Sequence, residues 1–213
     1  MSLKIYFLRH GQTDCSRENV FCGAGTDAEL TPEGKEMAQA FADAYKTISW
    51  KAIYTSPQKR AVATAKPLCD AVGLKPEATD DLKEIHYGKW EGESSETIDK
   101  RYHDDHLRWK ADPAWHGPTG GEPAVVIARR GLRAIEQIKQ KFNSGNVLVV
   151  SHKATIRIII CALLGIDVGR YRYRLGCPVS SVSVVEFDSC GPLLHALADR
   201  SHLSERLKSL PGT

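Results

Sequence analysis

The chain predicts an α/β fold, a three-layer α/β/α sandwich with a mostly parallel central sheet and an inserted cap of helix and loop. Three observations carry this expectation. Short apolar runs alternate with longer helical patterns, the arrangement that βαβ units produce. Asn146-Val147-Leu148-Val149-Val150 is apolar at nearly every position, the sign of a strand covered on both faces. Between 86 and 122 the alternation stops, and Trp90, Trp109 and Trp115 gather there with several glycines and two prolines. All 213 residues are read as one domain carrying this insertion.

In chain order, a first strand over 4–8 runs into a glycine-containing loop, where Gly11 lets the backbone approach a ligand closely. Thr31-Pro32-Glu33 opens a helix, with an N-cap, a proline at the first position and an acid in the first turn. Met37, Phe41, Ala44 and Ile48 give it a buried face. A strand over 52–55 follows, and Ser56-Pro57 reads as the start of a second helix reaching Val72-Gly73, with Pro67 expected to kink or shorten it. Residues 77–82 read as a short strand, and 93–110 as helix within the cap. A long helix spans about 123–142, with Val125, Ala128, Leu132, Ile135, Ile138 and Phe142 on one face. The strand at 147–150 leads to a helix over 153–164 closed by Gly165, and two strands at 181–187 and 193–197 flank a turn. The tail beyond His202 is expected to be mobile.

Composition narrows the function. With 42% hydrophobic and 26% charged residues the chain is of ordinary globular type. A net charge of +3, with scattered basic residues, argues against nucleic acid but leaves room for a local anion pocket. The six cysteines form no CxxC pair and read as reduced thiols of a cytoplasmic protein. No apolar run is long enough to span a bilayer. The sequence has no GxSxG, Walker A or GxGxxG motif.

The chemistry gathers at strand ends. Leu8-Arg9-His10-Gly11-Gln12-Thr13 delivers a guanidinium and an imidazole where the first strand stops. Ser151-His152 does the same for the strand at 147–150, so parallel pairing would place both histidines on one carboxyl rim. Arg60 lies in the first turn of its helix, where free N–H groups favour an anion. Glu84 follows a short strand and can serve as general acid and base. Two arginines, two histidines and a carboxylate suit phosphoryl transfer to an imidazole. The cations neutralise the transferring oxygens, so the reading needs no metal and no other cofactor.

Together with Leu30-Thr31-Pro32-Glu33-Gly34, Ser56-Pro57-Gln58-Lys59-Arg60-Ala61, Gly88-Lys89-Trp90-Glu91-Gly92 and Gly120-Gly121-Glu122, these motifs resemble the histidine phosphatase superfamily, in its phosphoglycerate mutase-like branch, over about 4–200. The resemblance implies His10 as nucleophile, Arg9, Arg60 and His152 around the phosphate, and Glu84 as proton donor. It also implies Tyr87 on the substrate side and Phe21-Cys22-Gly23 along the phosphate. The substrate it implies is a small-molecule phosphomonoester.

Departures from the family pattern bear on the substrate. Gln12 stands where Glu is frequent, Ser16 where an Asn commonly contacts phosphate, and Ala24 where Trp is frequent. Lys153-Ala154 replaces the usual glycine pair or Gly-Asn, leaving the Lys153 N–H to donate while its side chain adds charge to the rim. The segment after Tyr87-Gly88 is that of hydrolytic members, and Arg129-Arg130 falls in the long helix, outside the insertion where mutases carry an arginine pair. Hydrolysis is therefore expected over a 2,3-bisphosphoglycerate-dependent mutase or a non-catalytic phosphate-binding domain.

Other features have plainer readings. His103 and His106 are spaced for a metal but read as a solvated helix face. Arg170, Arg172 and Arg174 read as a solvated edge, and His86 as a structural residue or pocket wall. Cys15 and Cys22 read as inert packing beside the loop. Trp109 and Trp115 either line a substrate pocket or anchor the insertion.

Overall fold

A computed structural model describes residues 2–212. Its elements run β1 (Leu3–Arg9), α1 (Asp14–Arg17), α2 (Pro32–Tyr45), β2 (Trp50–Thr55), α3 (Lys59–Val72), β3 (Glu77–Ala78), α4 (Ser95–Arg101) and α5 (His103–Ala111). There follow α6 (Ala124–Lys141), β4 (Gly145–Ser151), α7 (Lys153–Leu163), α8 (Tyr171–Arg174), β5 (Val182–Asp188), β6 (Gly191–Asp199) and α9 (Glu205–Lys208).

The sheet order is β3-β2-β4-β1-β5-β6. β3, β2, β4 and β1 pair in parallel, whereas β5 joins β1 antiparallel and β6 pairs back on β5. A short turn suffices for antiparallel neighbours, so the C-terminal hairpin needs no crossover helix. Side chains alternate across β4. Val147 and Val149 pack with α6 and α7 through Ile135, Ile138 and Ile159, while Leu148 and Val150 pack with α2 and α3 through Phe41, Ala65 and Leu68. This double cover is what the apolar run at 147–150 predicts.

Local chemistry sets several boundaries. The Thr31 side chain accepts from the Gly34 N–H, with Pro32 at the first helical position of α2. Met37 and Phe41 are buried as expected, whereas Ala44 is exposed. α3 begins at Lys59, past Ser56-Pro57, and runs through Pro67 to a left-handed Gly73. The predicted strand at 77–82 shrinks to β3, followed by a 3-10 turn over Asp80–Leu82.

Gly11 makes its close approach to the protein itself. A Cβ there would lie 2.4 Å from the Gly34 carbonyl oxygen, so this glycine lets the first loop pack on the start of α2.

The tail beyond His202 is packed, contrary to expectation. Leu203 and Leu207 are buried with Met37 and Val179, and the Pro211 and Gly212 carbonyls accept from Gln12 and Arg9. Within the cap, α4 and α5 form a small core around Trp90, Ile98 and Trp109, with Phe21 and Tyr87 packed against it. Trp115 is 72% exposed and anchors nothing. Among the described residues, no helix is long and apolar enough to cross a membrane.

Candidate active site

Strand register brings the two histidines together. Arg9 pairs with Ser151 across β1 and β4, and the His10 N–H donates to the Ser151 carbonyl at 3.0 Å. The residues just beyond each strand are thus neighbours, with the His10 and His152 ring centroids 5.1 Å apart. β2 ends at the same rim, where the Ser56 N–H donates to the Val150 carbonyl. That strand feeds α3, whose second residue is Arg60.

The rings hold defined tautomers. His10 Nδ1 lies 2.8 Å from the Gly11 carbonyl oxygen, which can only accept, so Nδ1 carries the proton and Nε2 a bare lone pair. His152 is opposite. Arg60 Nε donates to its Nδ1 at 3.1 Å, so its proton is on Nε2, a buried donor with no protein partner among the described residues. Burial, then the positive charge of Arg60, holds both rings well below the ordinary histidine value, with Arg9 adding to the shift at each. Both are neutral at neutral pH.

The arginines are fixed from behind. Arg60 donates to the Thr26 and Gly23 carbonyls, and Arg9 to the Cys177 and Gly212 carbonyls. Neither has a carboxylate within salt-bridge distance among the described residues, while Arg9 Nε is a further buried donor without a partner. Neutral carbonyls orient these guanidiniums without cancelling their charge, which leaves them attractive to an anion.

Glu84 enters from the loop after the 3-10 turn. Its Oε1 accepts from Ile85 N–H, Thr155 N–H and the Thr155 hydroxyl, and its Oε2 accepts from Ala154 N–H at 3.1 Å. The first turn of α7 thereby supports the carboxylate, and Oε2 keeps a lone pair on which a proton can ride. Arg130, on α6, donates to the Asp81, Lys83 and Glu84 carbonyls and so fixes the backbone that carries Glu84. Its location inside an amphipathic helix gives no sequence signal of that task.

Glu91, another acid near Glu84 in sequence, is engaged elsewhere. It accepts from the Gly23, Gly25 and Tyr87 N–H groups and from the Thr26 hydroxyl, clamping the loop against the cap.

These groups surround a pocket of about 270 Å³. Eight of the ten residues expected at the site line it: Arg9, His10, Arg60 and Glu84, with Ser16, Cys22, Tyr87 and Lys153 around them. His152 is fully buried beside His10 and is not among the lining residues. Gly23 is not on the wall; its N–H goes to Glu91 and its carbonyl accepts from Gln58 and Arg60. The Ser16 hydroxyl is used in the Thr13 capping box. Burial pushes the Cys22 thiol up to about 12, so it stays protonated, and burial also holds the Tyr87 hydroxyl neutral.

Sequence reasoning missed part of the wall. Arg157 and Arg172 both line the pocket, the latter with its guanidinium 3.8 Å from the Trp109 ring centroid. Arg172 is therefore no solvated edge. Trp109 both lines the pocket and anchors the cap, the two uses that its sequence leaves open. His106 is buried against Asp99 and not on a solvated face, and the described residues hold no cluster of three or more side chains suited to a metal ion.

Residues 5–200 match the family model of the histidine phosphatase superfamily (branch 1). The chain is 29% identical over 203 residues to phosphoserine phosphatase 1 of Hydrogenobacter thermophilus, covering 95% of each chain. It is 31% identical over 175 residues to glucosyl-3-phosphoglycerate phosphatase of Mycolicibacterium vanbaalenii, covering 79% of this chain and 77% of the relative. The solved structure of YhfR from Bacillus stearothermophilus superposes with a TM-score of 0.88 at 25% identity, covering 95% of this chain and all of that one.

Proposed function

Because the chain belongs to the histidine phosphatase superfamily, branch 1, we propose that it hydrolyses a small phosphorylated metabolite, without a metal, through a phosphohistidine on His10. The observation that carries this reading is the bare Nε2 of a neutral His10 in a pocket it shares with Glu84 and with Arg9 and Arg60, two arginines free of carboxylate partners. The phosphatase names of the relatives support hydrolysis.

The His10 Nε2 lone pair attacks phosphorus as the ester P–O bond breaks, and Glu84 gives its proton to the departing oxygen. Arg9, Arg60 and the His152 Nε2–H hold the phosphoryl oxygens and stabilise the charge on them. Water then attacks the phosphohistidine while Glu84 takes its proton, the N–P bond breaks, and phosphate leaves with His10 restored.

Phosphate release from a panel of phosphomonoesters in EDTA tests the reading, with a mutase assay on 3-phosphoglycerate plus 2,3-bisphosphoglycerate run beside it. EDTA-resistant release that is lost in His10→Ala supports it. Isomerisation outpacing release would make the protein a mutase, and phosphate binding without turnover a regulatory domain.

A further inference from the structure

The pocket carries more positive charge than a phosphoryl group needs. Five cations line it, Arg9, Arg60, Lys153, Arg157 and Arg172, against one carboxylate, Glu84. None of the five makes an ion pair within the described residues, although elsewhere most lysines and arginines that form pairs do so on the exposed surface. Arg9 and Arg60 come from β1 and α3. The other three come from a different quarter, α7 and α8.

Lys153 and Arg157 are four residues apart on α7 and so share a face, where like charges repel. Arg157 is buried and fixed by its Nε donating to the Tyr171 carbonyl, with its guanidinium 5.3 Å from the Tyr171 ring centroid. Arg172 follows directly in α8 and is held over Trp109. Its Nη1 is a buried donor with no partner among the described residues. Three cations from α7 and α8 line the pocket, two of them against aromatic rings and one with an unused buried donor, and they offer a second place for an anion.

We infer that Lys153, Arg157 and Arg172 form a subsite for a second anionic group of the substrate, so that the preferred ester is a small phosphomonoester bearing a carboxylate or a second phosphate. The inference rests on the phosphatase reading above and sharpens its substrate class. A pocket of about 270 Å³ has room for a phosphoryl group and a short carbon chain joining it to the second anion.

Matched esters that differ by one anionic group test it. The wild-type protein is assayed on 3-phosphoglycerate against glycerol 1-phosphate, on fructose 1,6-bisphosphate against fructose 6-phosphate, and on an aryl phosphate. The doubly anionic member of at least one pair is expected to show a kcat/KM about 10- to 100-fold higher, the size of one or two charge-assisted hydrogen bonds. The pair that shows it tells carboxylate from phosphate. In Arg172→Gln and Lys153→Met the ratio within that pair is expected to fall towards one. Equal kcat/KM within both pairs, or ratios unmoved in both variants, overturns the subsite and leaves the phosphatase standing. No turnover of any ester, aryl phosphate included, overturns the phosphatase reading and the subsite with it.

Discussion

Arg60 Nε donates to His152 Nδ1 at 3.1 Å, and this contact fixes which ring nitrogen of His152 is left as a donor. An arginine cannot accept, so the proton of His152 must sit on Nε2. His10 is held the other way, by the Gly11 carbonyl at its Nδ1. Two neighbouring histidines thus show opposite tautomers, one with a bare Nε2 and the other with an Nε2–H donor.

Ring 15N spectra check that assignment. At pH 6.5 both rings should be neutral, His10 as the Nδ1–H form and His152 as the Nε2–H form, because burial and Arg60 hold both well below the ordinary value. A ring already half-protonated at pH 6.5, or matching tautomers, would contradict it. Stability has a consequent sign. The unfolded chain protonates these rings near 6.5 and the folded one does so only at lower pH, so stability is full above 6.5 and declines as pH falls below it. Thermal melts across that range should show Tm decreasing towards acid.

Glu84→Gln should lower turnover of alkyl phosphates by about 10²–10⁴, the usual share of a general acid. Activated aryl phosphates, whose oxygen leaves without a proton, should suffer far less in the first step. Equal losses on both would remove Glu84 from the role of proton donor.

Glu91→Ala should act on stability. It leaves the Gly23, Gly25 and Tyr87 N–H groups without their acceptor, a loss of about 1–3 kcal/mol. Each kcal/mol lowers Tm by about 2–4 °C in a chain of this size. A melt unchanged from wild type would mean that this clamp contributes nothing.

Lys153 gives a basic limb. Burial, then the charges of Arg9 and Arg157, lowers it to about 8, so it is cationic below that pH and neutral above. The KM for an ester with a second anionic group should rise above pH 8 in the wild type and stay flat there in Lys153→Met. A rise of the same size in the variant would assign the limb to another group.

Much of this arrangement is legible in sequence because parallel strands deliver their next residues to one rim. His10 and His152 need only their strands identified, and the double cover of β4 is written in its unbroken apolar run. The rest of the pocket wall is not legible in that way. Arg157 stands within the apolar stretch of α7 and reads as part of a core helix, yet its stem is buried while its head meets the pocket. Arg172 belongs to an alternating basic run, and only the fold places α8 beside Trp109. The Ser56-Pro57 signal fails for a local reason. Gln58 caps α3 by backbone conformation alone, since its side chain bridges the Gly23 carbonyl and the Glu84 N–H.

The His10–phosphorus bond is the proposed step on which the others depend. The most direct measurement is rapid mixing with a 32P-labelled ester, alkaline quench and mapping of the labelled peptide by mass spectrometry. The predicted result is a transient, acid-labile label on His10 that forms as fast as turnover requires and is missing from His10→Ala. Turnover with no label on His10, or His10→Ala retaining activity in place of the ~10⁴- to 10⁶-fold loss expected of a nucleophile, would contradict it.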